Sequence, residues 1–384
     1  MFKVLVWDYV SISSQWLEQA TDKKDIEVVG TITPFTPTQE AFEILSKKDA
    51  WCWLLIFEQG TRNFFEEVIQ VMKLPLNRVI YALDINSWAQ HPKATYTLLD
   101  DMGGGIIRRQ VLLNEIKKSN AFITCTVEGL SYVATSDDNI IMKKMYVQRV
   151  NWAENNIKRF YKLTAEAYNV DDSAGYFLDL GANIGTTGLY FIKKLAPNLK
   201  LLAFEPDPEN FKLLLVNIIL NDMRNKAMAV NCGLGNTFDE MTMYRNLVNP
   251  GGNSVFQRKK DMPTETIKII PLDSYLAEKK IAAQEVKYIW IDTEGFEAQV
   301  LLGAQNLLRE NPAPIFMECN LRAWDNSGCF DDMINLLAEG YSHFVHFYNG
   351  EKLYPLDALR TMERPNNPLG QIGDIFLIRR GAIA

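Results

Sequence analysis

The sequence predicts an α/β fold in two parts, a small parallel domain followed by a larger Rossmann-like sheet. Three observations predict it. Short apolar runs alternate with helical patterns over the first hundred residues. A strand, glycine turn and helix follow one another in "FLDLGANIGTTGLYF", residues 177–191. The alternation then restarts and continues through "FDDMINLLAEG".

In the first part "KVLVWD", "IEVVGTI", "WCWLLIF" and "RVIYAL" read as buried strands. Between them "SSQWLEQA", "TQEAFEILSK" and "RNFFEEVIQVMKL" carry helical periodicity. The first turn, "WDYVSISSQW", holds no glycine, so a phosphate-binding loop is not expected and the unit is assigned a structural or interaction role. Gly103, Gly104 and Gly105 punctuate the chain and set the domain at 1–105. A linking segment at 106–170 follows, with a helix at 107–118, extended "SYVATSD" and "NIIMKKM", and a helix from about 146 to 168. Val147, Val150, Ile157, Phe160 and Tyr161 mark the inner face of that last helix.

The main domain, 171–384, opens on the glycine turn. Phe177–Leu180 form a short buried strand, and Leu189, Ile192 and Leu195 recur at helical spacing. Gly181 and Gly185 permit backbone angles closed to other residues and let a ligand approach. Asn183 is the residue type that next best tolerates positive φ. Such a turn offers backbone N–H groups at a helix N-terminus. Glu205 ends the next strand, "KLLAFEP", where an acid receives ribose hydroxyls in nucleoside-binding folds. Pro206 and Asp207 supply the start of the following helix.

The loop also selects among nucleoside cofactors. A dinucleotide loop is G-x-G-x-x-G and cradles a pyrophosphate. Here the spacing is Asp179-x-Gly181-x-x-x-Gly185, opened by an acid that would repel phosphate. S-adenosylmethionine has a sulfonium and an amino-acid tail instead, and this loop suits it.

Together "DLGANIGTTGLYF", "AFEPDPENFKLLLVN", "IDTEGFEAQVLLGA" and "PIFMECN" resemble the FkbM family of class I methyltransferases over roughly residues 140 to 380. The resemblance implies a seven-stranded sheet and methyl transfer, usually to an oxygen of a sugar or natural product. It places Asp179, Gly181, Ala182, Asn183 and Gly185 around the methionyl part of the cofactor. Glu205 falls at the ribose, residues near Asn231, Cys232 and Gly233 lie by the adenine, and Asp207 is a further cofactor-binding candidate. The "NCGLG" at that third position departs from the usual Ala-Leu or Ala-Val. The first hundred residues lie outside the common pattern.

Methyl transfer is an in-line displacement that needs positioning and, for an alcohol, a proton acceptor. Asp292 and Glu294 follow the strand expected beside the glycine-loop strand, so both are candidates for the catalytic site, with Asp292 also at the cofactor. His343 and His346 share one late extended run, and His346 is the further candidate base. Asp292, Glu318 and Asn320 could converge as oxygen ligands for Mg²⁺, but helix capping is the preferred reading and no metal is assigned. "NPGGNSVF" is expected as a loop over the substrate, and Trp324 as a flat wall for a sugar ring. The last runs, "SHFVHFY" and "DIFLIRR", have no helix between them and predict a hairpin with one antiparallel strand.

Whole-chain properties narrow the partners. The net charge of −7 and the lack of a basic tract disfavour nucleic acid and anionic membranes. No apolar stretch approaches a membrane span, and Met1–Val6 lacks a signal-peptide layout. Five scattered cysteines without a CxxC pair suggest free thiols, no structural zinc and a cytoplasmic setting. The expected partner is a small hydroxylated acceptor, carbohydrate first, with a homo-oligomer allowed. A degenerate scaffold that no longer binds cofactor is the competing reading, and intact "DLGANIG" and "FEP" argue against it.

Overall fold

The computed structural model describes residues 122–382 apart from 248, 258, 348–351, 368 and 369, together with 2–8, 26–33, 36, 40, 52–57, 79–81 and 113. The chain divides into two compact units, Met1–Asn120 and Ala121–Ala384.

In the first unit β1 (Phe2–Asp8), β2 (Ile26–Ile32), β3 (Cys52–Phe57) and β4 (Val79–Tyr81) form one sheet in the order β2-β1-β3-β4. Every pairing is parallel. Parallel neighbours require crossover connections. The helices expected between these strands, the 107–118 helix and the Gly103–Gly105 break lie outside the described residues.

The second unit opens with an antiparallel hairpin, β5 (Phe122–Val127) and β6 (Leu130–Thr135). The extended run expected at "NIIMKKM" is instead helical, α1 (Ile141–Gln148). The cause is local: the Asp138 carboxylate accepts the N–H groups of Ile140, Ile141 and Met142 and so nucleates the first turn. The long helix expected from 146 begins at 154 as α2 (Glu154–Ala167). Arg149 (φ 57°) and Ala153 (φ 51°) take left-handed angles that a continuous helix forbids. Val150 is accordingly exposed, while Ile157 and Phe160 are fully buried.

The central sheet is built from β7 (Tyr176–Leu180), β8 (Lys200–Phe204), β9 (Ala227–Val230), β13 (Val286–Ile291), β14 (Ile315–Asn320), β15 (Tyr341–His346), β16 (Lys352–Pro355) and β17 (Gln371–Arg379). The order is β16-β15-β17-β14-β13-β7-β8-β9. It has eight strands rather than the seven expected, because residues between the two late extended runs add β16 at the edge and a short 3₁₀ turn, Leu356–Arg360. β17 lies antiparallel between β14 and β15.

Side chains alternate across the sheet, as strands require. One face is aliphatic, with Leu178, Leu180, Ile289, Ile291, Ile315 and Met317 in one buried cluster. It is covered by α5 (Leu272–Lys279), α6 (Glu297–Leu302), α7 (Gln305–Glu310) and α9 (Phe330–Gly340). The other face is aromatic. Phe160 of α2 packs on Tyr288, Trp290, Phe316 and Phe376 with centroids 5.6–5.9 Å apart. The stretch "FEAQVLLGAQNLLRE", 296–310, reads as one helix in the sequence but is split into α6 and α7 at Gly303, where the Gly235 carbonyl lies too close for any Cβ. Between β9 and α5 a small sheet is inserted: β10 (Gly233–Leu234), β11 (Asp239–Tyr244) and β12 (Thr264–Ile270), ordered β10-β12-β11.

Strand order reverses between β7 and β13, so the carboxyl ends of these neighbours open a crevice at the switch point. The glycine turn and Asp292 stand on its two sides.

Candidate active site

The glycine turn is held by backbone bonds to the next strand. Gly181 and Ala182 donate to the Phe204 carbonyl at 3.0 and 2.9 Å, and Asn183 N–H donates to Glu205 Oε2 at 2.7 Å. Gly181 (φ 93°), Asn183 (φ 50°) and Gly185 (φ 87°) all occupy the left-handed region. Helix α3 (Thr186–Tyr190) starts at Gly185 and continues into a π-helical turn, Phe191–Leu195. Opposite, Asp292 N–H donates to the Leu180 carbonyl, so the chain leaving β13 runs against the turn. Contact is close enough that a Cβ at Gly181 would overlap the Asp292 carbonyl.

A cleft forms over this junction. Gly181, Asn183, Glu205, Cys232 and Asp292 line it among the expected cofactor residues. Gly233 and Leu234 continue the floor, and Met243, Ile267 and Ile269 of the inserted sheet give an apolar wall. Asn183 Oδ1 is buried and has no hydrogen-bond partner. Glu205 is buried, with Oε1 accepting Asp207 N–H at 2.9 Å, and burial above all raises its carboxyl to about 8.

Other expected cofactor residues do not line this cleft. Asp179 lies beneath the turn, where Oδ2 accepts Gly188 N–H at 2.9 Å; burial raises its carboxyl to about 7. Ala182 and Gly185 shape the turn through their backbone. Asp207 caps α4 (Pro208–Leu220) by accepting from Glu209 and Asn210, and is clamped by Arg245 at 2.7 and 2.8 Å. Asn231 donates to the carbonyls of Glu205 and Pro206.

A second cavity, about 720 Å³, adjoins the cleft. Asp292 and Glu294 line both. The turn between α1 and α2 forms one side with Asn151, Trp152 and Ala153, while Glu318 and Asp374 come from β14 and β17. The break in the expected long helix is thus what builds this wall. Asp292 is open to both cavities yet ringed by protein; desolvation, then Glu294, holds its carboxyl well above the usual range. Glu318 is raised in the same direction, by burial and then by Asp292. Oxygens of Asp292, Glu294 and Glu318 lie within 4.8 Å of one another. At that separation two charges repel by about 3 kcal/mol at an effective dielectric near 20, so the three do not all stay ionised without a cation among them.

Glu294 (φ 55°) does not cap α6. That work falls to Glu297, which sequence reasoning missed. Its Oε1 accepts from Thr293 N, Thr293 Oγ1 and Gly295 N, and its Oε2 from Trp324 Nε1 and Asn320 Nδ2. A glutamate three residues past Glu294 in "DTEGFE" is the signal that could have marked it.

Further expectations meet the structure at Trp324, the 249–256 loop, the two histidines and Asn320. Trp324 is wholly buried in α8 (Leu321–Asn326) and forms no wall of either cavity. Pro250, Gly251, Asn253 and Ser254 of "NPGGNSVF" line the cofactor-side cleft rather than the acceptor side. His346 lies on β15, lines neither cavity and has its pKa lowered by burial. His343 meets Ser342 Oγ at 3.0 Å. Asn320 Nδ2 donates to Glu318 and Glu297, and its Oδ1 is buried without a hydrogen-bond partner.

The strand order, antiparallel β17 set between β14 and β15, and a nucleoside-type cleft at the switch point define a Rossmann-like methyltransferase fold. Residues 179–343 match the methyltransferase FkbM domain. It is 36% identical over 88 residues to the methyltransferase sdnD of Sordaria araneosa, a match covering 22% of this chain and 33% of that relative. Among solved structures, the methyltransferase FkbM of Methylobacillus flagellatus KT aligns over 98% of this chain and 89% of its own, at 13% identity and a TM-score of 0.37. P. horikoshii TYW2, solved in complex with MeSAdo, aligns over 67% and 70% at 15% identity and a TM-score of 0.31. Among the described residues no helix is long and apolar enough to cross a membrane, and Cys125, Cys232, Cys319 and Cys329 are free thiols.

Proposed function

We propose that the domain transfers a methyl group from S-adenosylmethionine to a hydroxyl of a small acceptor, a sugar or glycan precursor first and another natural product second. The observation that carries this reading is the position of Asp292 and Glu294 in the wall common to two cavities. The cofactor-side cleft suits the group chemically. The unpartnered Asn183 Oδ1 is an acceptor for the ammonium of the methionyl tail, and Gly181 leaves room beside it. Glu205 retains lone pairs for ribose hydroxyls, and Met243, Ile267 and Ile269 offer an apolar bed for adenine.

When bound, adenosylmethionine supplies a methyl group on a sulfonium that departs as a neutral thioether. The chain's own residues do the rest. The two cavities hold donor and acceptor on either side of Asp292, which supplies the proximity that in-line transfer needs. Asp292 takes the hydroxyl proton as the new C–O bond forms, and its raised pKa brings it towards neutrality as a base. Glu297 fixes the Thr293–Gly295 backbone and so the direction in which Asp292 leaves the strand.

Calorimetry with adenosylmethionine and its demethylated product tests the cofactor, and labelled adenosylmethionine with sugars, glycan fragments, phenols and lysate tests the acceptor. Label on a carbohydrate or metabolite oxygen is expected. Label on protein nitrogen or RNA would overturn the assignment.

A further inference from the structure

The larger cavity is uneven in charge. Of its described lining residues five are acids, Glu154, Asp292, Glu294, Glu318 and Asp374, against one cation, Lys144; Glu154 is paired with Lys158 at 2.5 Å, which leaves the other four acids. Lys144 stands over the Trp152 ring, 5.2 Å from its centroid, rather than against an acid. Glu318 and Asp374 are direct cross-strand partners on antiparallel β14 and β17. Like charges in that relation destabilise a sheet, so this pair is a cost that folding alone does not explain. The Asp292 carboxylate has no hydrogen bond or ion pair among the described residues, Glu318 meets the amides of Asn320 and Gln371, and Asp374 accepts from Asn156 Nδ2 at 3.0 Å.

A second, independent feature asks for a donor. Asn151 is 2% exposed, lines this cavity, and its Oδ1 has no hydrogen-bond partner. An oxygen left so costs free energy unless an N–H or O–H reaches it. The cavity, about 720 Å³, is of the size that holds a drug-sized organic molecule and far exceeds one ion.

We propose that the acceptor carries a protonated amine beside the hydroxyl to be methylated, with Glu318 and Asp374 holding the ammonium and Asn151 accepting one of the acceptor's hydrogens. The inference rests on the methyl-transfer reading and narrows its substrate class. An amino sugar or a hydroxylated amine fits, whereas a nucleotide-linked or phosphorylated sugar would bring negative charge to a surface already negative.

The test uses the full chain and matched acceptor pairs, each a hydroxylated amine and its N-acetylated form, with phosphorylated sugars as a third arm. Adenosylmethionine binding is first measured by calorimetry, and transfer is then read by mass spectrometry. The amine member should exceed its acetylated partner by 10-fold or more in kcat/KM. Glu318→Gln should shrink that ratio towards unity with cofactor affinity unchanged, and Asp374→Asn provides the same reading should the first variant misfold. Equal or better transfer to acetylated or phosphorylated acceptors, or no transfer to any amine by a protein that binds cofactor, would overturn the proposal alone. Mg²⁺-dependent transfer to both members of each pair would assign the carboxylates to a metal and overturn it too. Failure to bind adenosylmethionine would overturn the underlying reading and this one with it.

Discussion

Replacing Gly181 with alanine tests how the two sides of the crevice depend on each other. Gly181 has φ 93°, and an added Cβ would lie 2.8 Å from the Asp292 carbonyl carbon and overlap its oxygen. The left-handed angle costs an L-residue about 1–2 kcal/mol, and forcing an atom into packed space costs about 1–3 kcal/mol more. The sum, about 2–5 kcal/mol, corresponds to a fall in Tm of about 5–15 °C for a unit of this size. Gly129 gives the control: φ is 79°, but nothing lies within 4 Å of the added Cβ, so Gly129→Ala carries the backbone cost alone. Calorimetric melting separates the two variants. Cofactor titration of Gly181→Ala should show at least 10-fold weaker binding, because relief of the overlap moves the turn or the Asp292 backbone. Equal melting of both variants, with wild-type cofactor affinity, would refute the claim that the turn and the end of β13 are matched surfaces.

Asp292→Asn should lower turnover by about 10²-fold or more while cofactor affinity stays near normal, as expected for a lost general base; unchanged turnover would leave positioning as the mechanism. Glu297→Gln weakens a fully buried acceptor of five hydrogen bonds, and urea denaturation should register about 2–4 kcal/mol lost. Asp179 and Glu205 are raised to about 7 and 8, so the folded protein binds their protons more tightly than the unfolded chain. Their contribution is present below the ordinary carboxylate range and is lost as pH rises to about 8. Stability of the ligand-free protein should therefore fall between pH 5 and 8, and Asp179→Asn should flatten the slope.

What the sequence made legible was local. The turn at 181–185 and the acid at 205 belong to contiguous strand–turn–helix units, so residue type and spacing carry them directly. Asp138 was equally local but went unread: "SDDNII" pairs an acid with an apolar run, and apolar periodicity alone does not distinguish a short helix from a strand. The bonds of Glu297 to Asn320 and Trp324, and the Met243, Ile267 and Ile269 wall, depend on elements distant in sequence meeting in space, and no spacing rule reports that. Trp324 shows the opposite error. An aromatic near a strand end reads as a ligand surface until a buried carboxylate claims its N–H.

The placement of β17 has a consequence for how the molecule is made. Residues 371–379 insert between β14 and β15, so neither neighbour completes its pairing until this stretch has left the ribosome. Until then β15 and β16 can pair only with each other, and β14 presents an open apolar edge. The same stretch carries Gln371 and Asp374 into the larger cavity, and Asn156 of α2 reaches Asp374 at 3.0 Å. A nascent chain stalled before residue 371 would thus expose the β14 edge and lack the part of the cavity wall that Gln371 and Asp374 supply, and a chaperone that shields β14 is the help its synthesis would call on.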